Sequence, residues 1–225
     1  MTALSASEGY RLWAPTYGAE TAISHLEQQL VTEMTPPLAG LRLLDAGCGT
    51  GRRLRGTGAA RATGVDLCPE MLDAGLREMG RDPMIETMVG DVRALPLPSR
   101  AFDIVWCRLV IGHLPDCRPA YAELGRVADV DATVIVTDFH PAAWAAGHRR
   151  TFRHHGRVEE VEHYVHEVSD HVAAAETAGL TSVAVREAAI GPEVYDFYDK
   201  SGRFVLYAAD YGLPVVLALA FRRER

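Results

Sequence analysis

The chain has 225 residues, 48% of them hydrophobic and 24% charged, which are globular proportions and exclude a disordered, fibrous or miniature disulfide-stapled protein. No run approaches the roughly 18 consecutive apolar residues of a membrane span, and Met1 to Tyr10 has no basic start followed by an apolar stretch, so a cytoplasmic location is expected. The net charge of −7, without a Lys/Arg run, argues against a nucleic-acid partner, because affinity for phosphate backbones rests on clustered cations.

Residues 1–38 read as helical with a polar break. Tyr10, Trp13 and Tyr17 flank Pro15, then Ile23, Leu26, Leu30 and Met34 recur at helical spacing until Pro36-Pro37. Leu41 to Ala46 is a short apolar strand containing Asp45, followed by Gly47-Cys48-Gly49-Thr50-Gly51 and an Arg-rich segment of helical character. A second strand, Ala62 to Val65, runs into Asp66, and Pro69 opens a helix. Strands follow at Ile85 to Val89, before Gly90-Asp91, and at Phe102 to Cys107. A helix at Pro119 to Val127 leads to a β-branched strand at Thr133 to Thr137. Strands alternating with helices predict a doubly wound, mostly parallel α/β sheet.

Beyond Asp138 the pattern loosens. A strand is expected at Val158 to Val168, and a helix from Ser169 to Gly179 with Ser and Gly as its caps. Two closing strands are expected at Val183 to Glu187 and Leu213 to Phe221. Between them, Gly191 to Tyr211 is an aromatic-rich insertion. The organisation expected is one domain of seven strands: a helical lid at 1–38, a cofactor-binding half at 40–140, and a substrate-side half at 141–225 carrying an inserted cap. Cys48, Cys68, Cys107 and Cys117 form no C-x-x-C pair and read as reduced, buried thiols.

A glycine loop after a first strand lets the backbone approach a ligand and directs free helix N–H groups at it. The spacing here is G-x-G-x-G rather than the G-x-G-x-x-G of dinucleotide binders, and Asp45 stands two residues before it. An acid there repels a pyrophosphate and suits a cationic ligand, which weighs against a nicotinamide-dependent oxidoreductase. Leu43-Leu44-Asp45-Ala46-Gly47-Cys48-Gly49-Thr50-Gly51, then Val65-Asp66, then Gly90-Asp91, together resemble the class I S-adenosylmethionine-dependent methyltransferases over about residues 40 to 140. The likeness is nearest to the small-molecule enzymes of the ubiquinone/menaquinone and malonyl-carrier type.

The resemblance implies S-adenosylmethionine as cofactor. Gly47, Gly49 and Gly51 would line its methionine portion, with Asp45 near the ammonium directly or through water. Asp66 would take the ribose hydroxyls, Leu67 and Met71 would pack on the adenine, and Asp91 and the Val92 backbone would hold the adenine edge. Tyr10, Trp13 and Tyr17 would form the lid, Tyr17 against the cofactor and Tyr10 and Trp13 against the acceptor. Each has a plainer alternative: a strand-end Asp can be only a helix cap, Met71 only core. Fourteen residues separate Gly51 from Asp66, and Gly56 and Gly58 interrupt them, so the first helix is expected to be short.

Methyl transfer from a sulfonium is an in-line displacement that needs positioning, and a base only where the acceptor must lose a proton. His113 and His140 follow the fourth and fifth strands, where open α/β sheets bind ligands, and are the catalytic candidates; each can also be a hydrogen-bonded structural histidine. The N/D-P-P-Y/F element of base and glutamine methyltransferases is absent after the fourth strand. Seven of the nine histidines lie between His140 and His171. Of these His163 and His166, with Arg108, are expected to line the acceptor pocket; no metal site is expected. Arg149, Arg150 and Arg153 either hold an acidic acceptor or form a solvated face. The expectation is O-methylation of a small molecule, ahead of C- or N-methylation, by a monomer or homodimer that works on neither nucleic acid nor a membrane. The alternative is a non-catalytic S-adenosylmethionine-binding scaffold or sensor.

Overall fold

The computed structural model describes residues 3–224. The chain opens with α1 (Ala6–Trp13), a single 3-10 turn at Ala14–Thr16, and α2 (Ala22–Met34). Ser5 caps α1 by accepting from the Glu8 N–H, and Thr21 and Ser24 close a reciprocal capping box on α2. Five strands follow: β1 (Arg42–Ala46), β2 (Arg61–Asp66), β3 (Ile85–Val89), β4 (Phe102–Arg108) and β5 (Ala128–Phe139). α3 (Pro69–Met79) connects β2 to β3, and α4 (Arg118–Val127) connects β4 to β5. Then come α5 (Pro141–Ala145), a hairpin of β6 (Thr151–His154) and β7 (Arg157–Glu160), and α6 (Val168–Thr177). β8 (Leu180–Ala189), α7 (Tyr195–Asp199), α8 (Phe204–Asp210) and β9 (Pro214–Arg223) complete the chain.

The main sheet has seven strands in the order β3-β2-β1-β4-β5-β9-β8. The first five strands pair in parallel, and β9 lies antiparallel between β5 and β8. The strand order reverses between β1 and β4, so their C-terminal ends flank the crevice where such sheets bind ligands. Core clusters cover both faces. Leu44, Val105, Cys107, Tyr121 and Leu124 lie together on one, while Leu43, Ile104, Trp106, Ile135 and Val31 of α2 lie together on the other.

Three local expectations are corrected. Between β1 and β2 only a 3-10 turn, Arg52–Leu54, forms, because Gly56 and Gly58 sit at φ +68° and +74° and break any helix. The segment 158–168 is half of the β6–β7 hairpin and then an extended run into α6, not one strand. α6 is capped by Glu167 rather than Ser169: the Asp170 carboxylate accepts the Glu167 N–H at 2.9 Å, two residues before the expected Ser cap. The four thiols are buried and free.

Candidate active site

A cavity of about 360 Å³ opens at the β1/β4 reversal. The glycine loop enters it through Gly47 and Gly49, the end of β2 and the residue after it through Asp66 and Leu67, the segment after β3 through Asp91 and Val92, and the end of β4 with the turn after it through Arg108, Val110 and His113. Tyr10 and Tyr17 cover it from the N-terminal segment. Shallow depressions elsewhere are as large or larger, but this one gathers acids, a cation, an imidazole and a glycine loop around one space.

The loop can take only a narrow set of residues. Gly47 lies at φ +85°, and a Cβ there would fall 2.2 Å from Val110 Cγ2, so the strand end and the β4 loop meet only because that side chain is missing. The Gly49 N–H donates to Asp66 Oδ2 at 2.7 Å and the Cys68 N–H to Oδ1 at 2.9 Å. Asp66 therefore pins the loop to β2 and caps the turn into α3 while each oxygen keeps a lone pair for a ligand hydroxyl. Burial raises its carboxyl above the usual range, partly offset by those two N–H bonds. Gly51 is not part of the lining; it turns the chain at φ +72° into the Arg52–Leu54 turn.

Asp45 lies beneath the loop, 2% exposed, and burial pushes its carboxyl up to about 7 against the nearby Arg108 charge. Its Oδ1 has no hydrogen-bond partner among the described residues. Met71 is buried with Ala14, Cys68 and Tyr17, whereas Leu67 is 48% exposed at the cavity mouth. Asp91 is gripped by Arg93, whose Nη2 lies 2.6 Å from Oδ2 and whose Nε lies 3.0 Å from Oδ1, and this pairing holds the carboxyl below its usual range. Any ligand donor reaching Asp91 must share it with that guanidinium.

Of the two histidine candidates only His113 lines the cavity. Its Nδ1 lies 2.9 Å from the Glu162 carbonyl and its Nε2 3.0 Å from the Tyr10 hydroxyl. A carbonyl can only accept, so Nδ1 carries the proton in the neutral ring and Nε2 accepts from Tyr10. The Arg150 Nη1, 3.0 Å away, donates to the same Tyr10 oxygen and fixes that direction. Burial, then the Arg150 charge, lowers the imidazole well below its ordinary value, so the ring is neutral. His140 is turned away from the cavity: its Nδ1 accepts the Ala142 N–H at 3.0 Å as the N-cap of α5, and its Nε2 lies 3.2 Å from Glu187. Both nitrogens are committed to structure.

The remaining acceptor-side candidates divide similarly. Trp13 does not reach the cavity; it stacks on Tyr10 at 5.7 Å and on Phe152 of the hairpin at 5.1 Å, joining α1 to β6. His163 and His166 line a neighbouring depression of about 670 Å³ that shares Pro115 and Tyr164 with the first. His166 Nε2 donates to the Leu114 carbonyl at 2.8 Å. His163 is wedged against Trp144 and Phe139, with neither ring nitrogen partnered among the described residues, and burial lowers it to about 4. Arg108 lines the cavity but is buried in an ion pair with Glu27, Nε 2.9 Å from Oε1. Among the described residues no three His, Cys, Asp or Glu side chains gather as metal ligands do.

Sequence reasoning missed Glu27 and did not single out Arg150 from its neighbours. Glu27 carries a legible signal, a carboxylate on the apolar stripe of α2 between Ile23 and Leu30; Arg150 carries none, since Arg149 and Arg153 beside it are exposed.

Comparison with known proteins follows the same residues. A family model described as "Methyltransferase domain" matches residues 44–136, from within β1 into β5. That segment resembles this family. It contains the glycine loop, Asp66, Asp91, Arg108 and His113 of the cavity. Over 124 residues the chain is 36% identical to a malonyl-[acyl-carrier protein] O-methyltransferase of Serratia marcescens, covering 54% of this chain and 48% of that one. A 27-O-demethylrifamycin SV methyltransferase of Amycolatopsis mediterranei is 27% identical over 180 residues, 77% of this chain and 62% of the relative. The chain spans about half the length of several curated relatives it matches. A crystal structure of an S-adenosylmethionine-dependent methyltransferase from Mesorhizobium loti superposes with a TM-score of 0.69 at 21% identity, over 92% of this chain and 99% of that one. The chain thus shares its fold with that protein well beyond the matched segment.

Proposed function

We propose that the protein transfers a methyl group from S-adenosylmethionine to an oxygen of a small molecule whose hydroxyl is already acidic, such as a carboxylic acid, enol or phenol. The observation that carries this is the neutral His113 at the cavity wall, its Nε2 lone pair held by the lid tyrosine. A base whose basicity is depressed accepts a proton efficiently only from an acid of matching strength, and an ionised carboxylate needs no base at all. The relatives named as O-methyltransferases support oxygen as the acceptor atom.

The residues fit the cofactor by their chemistry. Gly47 and Gly49 present backbone where side chains would fill the space, Asp66 keeps acceptor capacity for two hydroxyls, and Leu67 and Val92 supply apolar contact beside Asp91. When bound, the sulfonium supplies an electrophilic methyl. The protein's work is to hold both partners in line, exclude water beneath Tyr10 and Tyr17, and take a proton at His113 Nε2 once Tyr10 withdraws. In this reading the hairpin and α1 together face the acceptor, and residues 180–223 complete the sheet rather than the pocket. An acceptor of this kind involves neither nucleic acid nor a membrane.

Calorimetry with S-adenosylmethionine and S-adenosylhomocysteine tests the first half, with binding expected in the micromolar range. Incubation with a panel of carboxylic acids, phenols and aliphatic alcohols, read by mass spectrometry for a gain of one methylene unit, tests the second. Methylation confined to the aliphatic alcohols would sink the acidic-oxygen assignment.

A further inference from the structure

Beside His113 the protein already holds an oxygen of its own. The Tyr10 hydroxyl lies 3.0 Å from His113 Nε2 and 3.0 Å from Arg150 Nη1, while His113 Nδ1 faces the Glu162 carbonyl at 2.9 Å. A guanidinium only donates, and Nε2 of a ring protonated at Nδ1 only accepts, so the oxygen between them must carry a proton and offer a lone pair at once. A hydroxyl meets both demands. An ionised carboxylate does not, because one of its lone pairs would face the lone pair of Nε2. Protonating the ring to admit a carboxylate is opposed by burial and by the Arg150 charge.

Arg150 reaches this oxygen from the segment between α5 and β6. Its side chain is half-buried, and its Nε is buried without a partner among the described residues. Arg108, the other cation near the cavity, is neutralised by Glu27. Arg150 has no such counter-anion: the carboxylate whose charge it feels, Asp138, is 1% exposed and stands 3.6 Å from His171 instead. A cation drawn from water without an anion is costly at rest and favours any step that brings negative charge to it. Resting on the methyl-transfer reading above, we propose that the Tyr10 oxygen marks the position of the reacting acceptor oxygen, that Arg150 is a catalytic residue donating to that oxygen as it becomes negative, and that the acceptor is a phenol or weakly acidic enol. The lid withdraws its own phenol and the acceptor O–H takes its place. His113 Nε2 takes the proton, and the oxygen so freed bonds the methyl carbon and displaces a neutral thioether, the carbon–sulfur electron pair leaving with sulfur. Arg150 stabilises the oxyanion, which brings such a hydroxyl within range of a weak imidazole base and leaves an aliphatic alcohol outside it. Carboxylic acids, ionised at neutral pH, are excluded from the seat.

The test gives the unmodified protein S-adenosylmethionine and three acceptors on one aromatic body, 4-cyanophenol, 4-cyanobenzoate and 4-cyanobenzyl alcohol, and reads the methylated product by mass spectrometry. The phenol is expected to react at least about tenfold faster than either of the others. Arg150→Gln should lower kcat for 4-cyanophenol about tenfold or more with KM within about threefold, and the loss should be larger for unsubstituted phenol, whose conjugate base needs more stabilising. Arg150→Lys should restore part of the rate. A preference for the carboxylate would overturn the seat while leaving the acidic-oxygen reading in place, and methylation of the alcohol alone would overturn both. A protein that binds S-adenosylhomocysteine yet methylates none of the three overturns the seat. An Arg150→Gln variant that slows both phenols equally would make Arg150 structural and overturn its catalytic role; if that variant does not fold, the order of the three acceptors on the unmodified protein decides. If neither S-adenosylhomocysteine nor S-adenosylmethionine binds, the methyl-transfer reading falls and takes the seat with it.

Discussion

The hydroxyl of Tyr10, on the first helix, lies 3.0 Å from Nε2 of His113, in the 3-10 turn after the fourth strand, and joins the two at the cavity with a single oriented hydrogen bond. Arg150 donates into the same oxygen, and the Leu4 N–H donates to the Glu160 carbonyl at 2.8 Å beside it, so α1 and the β6–β7 hairpin are fastened together where they meet His113. Any movement of α1 away from His113 would part this contact.

Tyr10→Phe should release that contact. The variant loses one hydrogen bond and leaves Arg150 without its acceptor, a cost of about 1–3 kcal/mol. S-adenosylhomocysteine is expected to dissociate roughly fivefold faster with little change in association, read by stopped-flow fluorescence. An unchanged off-rate would show that Tyr10 does not gate the cavity.

His140 and His113 should behave differently. His140→Asn keeps a side chain able to cap α5 and should leave turnover within about twofold. His113→Ala is expected to lower kcat by about a hundredfold for an acceptor with a protonated hydroxyl and far less for an ionised carboxylate. A large loss in His140→Asn measured by steady-state kinetics would restore it as a catalytic candidate.

Asp66→Ala strips the acceptor from two backbone N–H groups as well as from a ligand, whereas Asp66→Asn retains one amide oxygen. Both should weaken S-adenosylhomocysteine at least about tenfold in calorimetry, and only the alanine should lower Tm by about 5 °C or more. Full affinity in either would reduce Asp66 to a cap.

Asp45→Asn should stabilise the ligand-free protein in a pH-dependent way. The folded carboxyl is raised to about 7, so between its ordinary unfolded value near 4 and that point the folded state holds a proton the unfolded state has lost. The native carboxyl thus costs stability increasingly as pH rises through this window, and the benefit of asparagine should grow from pH 4 to pH 7 and level off above. Thermal melts of the two proteins at pH 5, 6 and 8 check the sign; a gain that shrinks with pH would mean Asp45 is ionised in the folded protein.

Gly75→Ala should destabilise despite its place inside a helix, where alanine ordinarily gains about 1 kcal/mol over glycine. A Cβ at Gly75 would fall 1.9 Å from the Thr50 carbonyl, forcing α3 off the glycine loop. A Tm drop of several degrees with weaker cofactor binding is expected, measured by melting with and without S-adenosylhomocysteine.

Much of this was written along the chain. β3 runs from Ile85 to Val89, the bounds expected from the sequence, and the loop of Gly47 and Gly49 with Asp66 is legible because strand end, tight turn and acid are adjacent in sequence or one crossover apart. Local spacing fixes such features, since each depends on backbone conformation within a few residues. Histidine roles were not legible: His140 and His113 both follow strands, yet one ring turns back to cap α5 and the other meets Tyr10 from more than a hundred residues away. The aromatic insertion at 191–211 gave the same composition a lid would have, but Val194 and Tyr198 pack against Leu26 and Leu30 of α2, clear of the cavity lining. The sequence by itself determined the sheet, the glycine loop and the acids that follow its strands, because hydrophobic period and turn chemistry are short-range. Only the tertiary structure decided which polar side chains face the cavity, because a buried charge such as Arg108 takes its orientation from a partner, Glu27, that lies 81 residues away along the chain.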